Sequence, residues 1–147
     1  MIEGRMRSLG VDFGSKRIGL AVSDEMGLIA LPLEFVAAEP AAEALRKLAE
    51  IVKGRGVEKI VVGMPRNMDG SYGPAAEKTR EFIAALEGQV SVPIRTWDER
   101  LTSAQANRML IAAGMRREKR KLKVDQTAAA LLLQSFLDSE NQADDRV

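Results

Sequence analysis

A chain of 147 residues, 46% of them hydrophobic, fits one domain with a genuine core. It contains no His and no Cys, which removes Ser-His-Asp and Cys-His catalysis, thiolate zinc sites and imidazole general bases in one step. Twenty-two basic residues against 21 acidic ones leave a net charge of +1, so any attraction to nucleic acid must come from local patches rather than the whole molecule.

The first five residues, MIEGR before a second Met, read as a protease-site remnant of an expression vector, and the natural chain is taken to start at Met6. No apolar run approaches the ~20 residues of a membrane span and no signal-peptide pattern is present, so a cytoplasmic protein is expected, with no membrane partner. One domain is predicted over residues 6–138, followed by a disordered tail over 139–147.

A strand is predicted near Arg7–Phe13, a turn at Gly14–Arg17 and a second strand at Ile18–Ser23. Met26-Gly27 then turns the chain into a third strand, Leu28–Val36, whose Pro32 requires an edge or a bulge. This is an antiparallel meander. Helix and strand alternate afterwards: helix Ala41–Lys53, strand Lys59–Gly63, helix Ala75–Leu86 and strand Val92–Trp97, the signature of a parallel section. A helix follows from Thr102, which has capping-box spacing to Gln105, to Gly114. The last helix is expected from about Lys123 to Leu137, with Ala128, Ala129, Leu132 and Phe136 on the same face as Asp125.

Three carboxylates stand at the edges of these apolar segments: Asp12, Glu99 and Asp125. A charge there is costly unless something cationic compensates it. Oxygen donors gathered from distant segments suit hard divalent cations, magnesium or manganese. Each acid also has a plainer use. Asp12 can end a strand in a turn, Asp125 can sit on a helix dipole, and the spacing does not say whether Asp98 or Glu99 faces inward. Of the polar candidates, Lys16 and Arg17 lie in the turn after the first acid, Arg66 and Asn67 follow a buried strand, and Arg100 adjoins Glu99. The block RREKRKLK adds Arg116, Arg117, Lys119, Arg120, Lys121 and Lys123. All are candidate phosphate contacts, Arg100 the better one by its adjacency to Glu99 and the basic block favoured by its place just before Asp125, while Lys16 and Arg17 suit a solvated turn equally and turn chemistry alone explains Arg66 and Asn67. Trp97 reads as packing, since it falls within a strand, and residues 67–73 as a polar flap.

Four segments in this order, GVDFGSKRIGLAVSD, IVVGMPRNMDGSYG, TWDERLTSAQA and KVDQTAAALLLQSFLD, together resemble the YqgF family, also called RuvX, of the ribonuclease H-like superfamily. The resemblance implies an α/β fold whose mixed sheet, a three-strand meander plus parallel strands, is flanked by helices. It also implies a metal-dependent nuclease with Asp12, Glu99 and Asp125 as catalytic metal ligands, and it selects Glu99 over Asp98. Members are described as nucleases maturing the 5′ end of 16S ribosomal RNA and as Holliday junction resolvases, so structured RNA or branched DNA is the expected partner of a monomer or homodimer. The first segment also resembles the phosphate loop of actin-like and sugar-kinase ATPases. That fold closes two such domains on a nucleotide, and this chain is too short for both. A non-catalytic nucleic-acid or ribosome-assembly adaptor on the same fold is a further alternative.

Overall fold

In the computed structural model, which describes residues 7–100 and 127–145, six strands form one mixed sheet. They are β1 (Ser8–Phe13), β2 (Arg17–Ser23), β3 (Ala30–Pro32), β4 (Val36–Ala37), β5 (Lys59–Met64) and β6 (Ile94–Asp98). The order across the sheet is β3-β2-β1-β5-β6, with β4 also paired to β2. β1 runs antiparallel to β2 and parallel to β5, and β5 runs parallel to β6. The meander and the parallel section therefore lie where hydrophobic patterning and turn residues predict.

Alternation along the strands sorts side chains onto two faces. Leu9, Val11, Ile18, Leu20, Ile60 and Val62 point one way and are fully buried, packing with helices α1 (Ala41–Gly54) and α2 (Pro74–Glu87) through Leu48, Phe82 and Leu86. Each such side chain contributes about 1.5–3 kcal/mol on burial. Gly10, Ala21 and Val61 point the other way, toward α3 (Ala128–Asp145) and its Ala129, Leu133, Phe136 and Leu137.

The predicted third strand is in fact two. Ala21 lies opposite Pro32 and Ile18 opposite Val36, so three steps on β2 face four on the outer strand. One extra residue bulges between β3 and β4. Pro32 sits on the sheet edge, where its missing donor breaks no ladder. The shift brings Val36 into the core and turns Phe35 outward.

The last helix also differs from expectation. Among the described residues it begins at Ala128, where the Thr127 hydroxyl accepts the Ala130 N–H at 3.1 Å and caps the first turn. Its buried stripe holds Ala129, Leu132, Leu133, Phe136 and Leu137, while Ala128 is exposed. It continues to Asp145, past residue 139 where the sequence suggests the tail begins. The reason is long-range: Lys59, buried in β5, bonds Glu140 at 2.8 Å and sits 5.0 Å from the Phe136 ring centre. Gln134 further pins the β2–β3 turn by donating to Leu28 O at 2.8 Å and accepting from Ala30 N at 2.9 Å.

Close approach of α3 to the sheet depends on Gly10. A Cβ there would stand 2.8 Å from Leu133 Cβ and 3.1 Å from Ala129 O, atoms rigidly tied to the helix. Gly10→Ala gains up to about 1 kcal/mol of backbone entropy but overpacks by about 1–3 kcal/mol. The expected outcome is a melting temperature several degrees lower, read by calorimetry. A variant melting at or above the parent would sink this packing account.

Candidate active site

β1 carries Asp12 on the α3 face, next to its last residue, while pairing with β2 and β5 on its two sides holds the backbone. Glu99 follows directly on β6, so the parallel pairing of β1, β5 and β6 brings both acids to one end of the sheet. Between them runs β5, and its Gly63 provides the space. A Cβ on Gly63 would lie 2.9 Å from Glu99 Oε1 and 3.0 Å from its Cγ, so the Glu99 side chain lies flat across a strand that has no side chain there.

Asp12 and Glu99 meet. The Glu99 carboxyl is pushed up to about 7, first by burial, then by the negative charge of Asp12 and a hydrogen bond to it, and last by the charge of Asp98. Two half-buried carboxyls facing one another thus hold a proton near neutrality, and a pair of like-charged oxygen donors suits a hard divalent cation. On that observation the residues fit a divalent metal. Among the described residues no cluster of three or more His, Cys, Asp or Glu side chains forms a metal site. Asp125 lies outside the described residues, as do Arg116, Arg117, Lys119, Arg120, Lys121, Lys123 and the predicted helix from Thr102.

Asp98 points elsewhere. Its carboxylate takes the Arg100 backbone N–H at 3.0 Å, the Arg100 Nη2 at 2.9 Å and the Arg66 Nη1 at 3.5 Å. The Arg100 side chain, foremost among these partners, holds Asp98 below the ordinary carboxylate range. Strand alternation at the end of β6 decides the matter left open by spacing: Glu99 faces Asp12, and Asp98 anchors two arginines. Arg100 also reaches Asn67 O at 3.4 Å, and Arg66 bonds Gly70 O, which ties the loop 65–73 to this corner. Tyr72 lies under both Arg66 and Arg80, with guanidinium carbons 4.7 and 4.6 Å from its ring centre.

The remaining candidates are less central. Lys16 in the β1–β2 turn and Arg17 at the start of β2 are both exposed, and Arg17 stacks on Phe35 at 4.4 Å. Asn67 bonds Ser71 within its own loop. Trp97 packs edge-on against Phe136 at 5.4 Å and donates to Ser135 Oγ at 3.1 Å, as part of the α3 interface. The space over Gly10, on the same face as Asp12, is filled by Leu133. Sequence reasoning missed Asp98 as an anchor, Gly63 as the seat of Glu99, and Tyr72. The one available signal was Gly63 ending an otherwise apolar strand run.

A mixed sheet with acids converging at one end, helices on both faces and β1 at the centre is the ribonuclease H-like arrangement. Among solved structures, RuvC of Thermus thermophilus in complex with a Holliday junction substrate matches with a TM-score of 0.58 at 18% identity, over 93% of this chain and 96% of that one. The structure titled "Thermus thermophilus RuvC structure" matches at 0.55 and 18% identity, over 93% and 97%. Closer in sequence are proteins named "Putative pre-16S rRNA nuclease". The one from Geobacillus kaustophilus is 49% identical over 92% of this chain and 99% of its own length. The one from Pelotomaculum thermopropionicum is 46% identical over 93% and 90%. The RuvX family model, described as Holliday junction resolvase, matches residues 6–139, and the chain belongs to that family. It is a nuclease by that membership. No described helix is long and apolar enough to cross a membrane.

Proposed function

We propose that this nuclease is metal-dependent, that Asp12, Glu99 and Asp125 bind its magnesium or manganese, and that it processes the 5′ end of pre-16S ribosomal RNA in the cytoplasm. The observation that carries the reading is the Asp12–Glu99 pair, two carboxyls forced together until one keeps its proton near pH 7. Nothing in the core requires such a pair. Asp125 stands three positions before the first residue of α3. A Cβ on Gly19 would lie 3.6 Å from both Ala129 Cβ, in the first turn of α3, and Asp12 Cβ, which supports a third acid at the same corner. When bound, the metal supplies an activated water and neutralises charge on the phosphoryl and leaving oxygens. The chain's own part is to hold the acids on paired strands, and to present Arg100 and Arg66, oriented by Asp98, to substrate phosphate.

The RNA assignment is supported by relatives that share 44 to 49% identity across nearly all of this chain. The family description favours a second reading, resolution of four-way DNA junctions. Symmetric cleavage of a junction also calls for a two-fold dimer. Purified protein incubated with precursor 16S RNA and with a synthetic junction, in magnesium and in chelator, separates the two. Magnesium-dependent shortening of the RNA with the junction intact is the expected result. Paired symmetric cuts in the junction alone would transfer the assignment to DNA, and no cleavage of either would remove it.

A further inference from the structure

We infer that Phe35 is a base-stacking platform on the rim of the acid pair, receiving a nucleobase of the substrate strand adjoining the cleaved phosphate; this rests on the nuclease reading above. Phe35 lies in the bulged segment between β3 and β4 and is 48% exposed. Its neighbour Val36 supplies the core contact, so burial does not explain the ring. Its position does point to a ligand. A Cβ on Gly19 would lie 3.4 Å from Phe35 Cε1 and 3.6 Å from Asp12 Cβ, so the ring edge and the acid flank the same glycine on one face of the sheet. Of the other exposed large apolar side chains among the described residues, Met26, Leu28, Ile29 and Leu31 belong to the β2–β3 turn and β3, and Met68 and Tyr72 to the loop 65–73.

Charge supports a nucleic-acid occupant. The exposed Arg17 holds its guanidinium 4.4 Å from the ring centre, a cation placed for the phosphate next to a stacked base. The bulge is what presents the platform, since an unbroken third strand would place Phe35 and Val36 on opposite faces from those they occupy.

The test uses the full chain and a short single-stranded RNA carrying 2-aminopurine at each position in turn, with calcium replacing magnesium to limit cleavage. Phe35→Leu keeps apolar bulk over Gly19 and removes the aromatic face; Phe35→Tyr keeps both. The wild type and Phe35→Tyr are expected to quench the base analogue at one position. Phe35→Leu should lose that quenching and bind roughly five- to hundredfold more weakly, with an unchanged melting temperature and unchanged magnesium-induced stabilisation. Arg17→Gln should lower the salt dependence of binding by about one released counterion. Quenching and affinity that survive in Phe35→Leu, while the wild type still cleaves in magnesium, overturn the platform and leave the nuclease standing. A wild type that cleaves neither RNA nor junction overturns the reading on which the platform rests.

Discussion

Asp12→Asn should reduce cleavage by at least about a thousandfold, since metal-assisted charge neutralisation supplies several kcal/mol of transition-state stabilisation and each 1.4 kcal/mol is tenfold in rate. The fold should survive the change. Asn has the volume of Asp, and Asp12 is held by its pairing with Gly19 of β2, with no ion pair among the described residues. Magnesium gives the independent readout: at a hundredfold excess over its dissociation constant a native-state ligand adds about 2.7 kcal/mol, several degrees in melting temperature for a chain of this size. The parent should show that shift and Asp12→Asn should lose most of it. An Asn variant that cleaves normally would favour the adaptor alternative. One that loses cleavage by failing to fold in chelator would refute the account of Asp12 as a site residue.

Glu99→Gln should also abolish cleavage, yet make the metal-free protein more stable in alkali. The sign follows from the raised carboxyl. An unfolded Glu titrates near 4.5 and the folded Glu99 near 7. Below the lower value both states are protonated and the group costs nothing. As pH rises through the interval the unfolded chain ionises alone, so stability falls, and above about 7 the folded state carries two facing anions and the full penalty. That gap amounts to on the order of 3 kcal/mol at most, reduced by the partial solvent access of the site. Gln keeps the shape and the hydrogen bond to Asp12 without the charge. In chelator its melting temperature should exceed the parent's at pH 8, and the difference should shrink toward pH 4.5. Magnesium should reverse the order at pH 8 by stabilising only the parent. A Gln variant less stable than the parent at pH 8 without metal would mean that Glu99 is a structural support, and the repulsive-pair account would fail.

Much of the fold is legible from residue order. Period-two apolar spacing marks β1 and β2, a continuous apolar run marks β5, and the helical stripe with Pro74 at the first turn marks α2. These signals are local: side-chain alternation and turn chemistry act over a few residues. Where a boundary depends on a distant partner the reading slips. The bulge that divides the outer strand is set by how β2 accepts its neighbour. The extension of α3 past residue 138 is set by Lys59, eighty-one positions away in sequence. What fills the space above Gly10 is likewise a property of packing.

The acids divide along the same line. Their number and type, and the absence of His and Cys, restrict the chemistry to oxygen donors and hard cations without any coordinates, because ligand preference belongs to the side chain itself. Which acid turns inward does not. Asp98 and Glu99 are adjacent, equally charged and equally compatible with a loop; only the end of β6, the bare strand at Gly63 and the waiting arginines send one toward Asp12 and the other toward Arg66 and Arg100. Composition determined what chemistry this chain can perform, and tertiary structure decided where two like charges are held together against their repulsion, since that energy depends on a distance between residues 12 and 99 that no local pattern encodes.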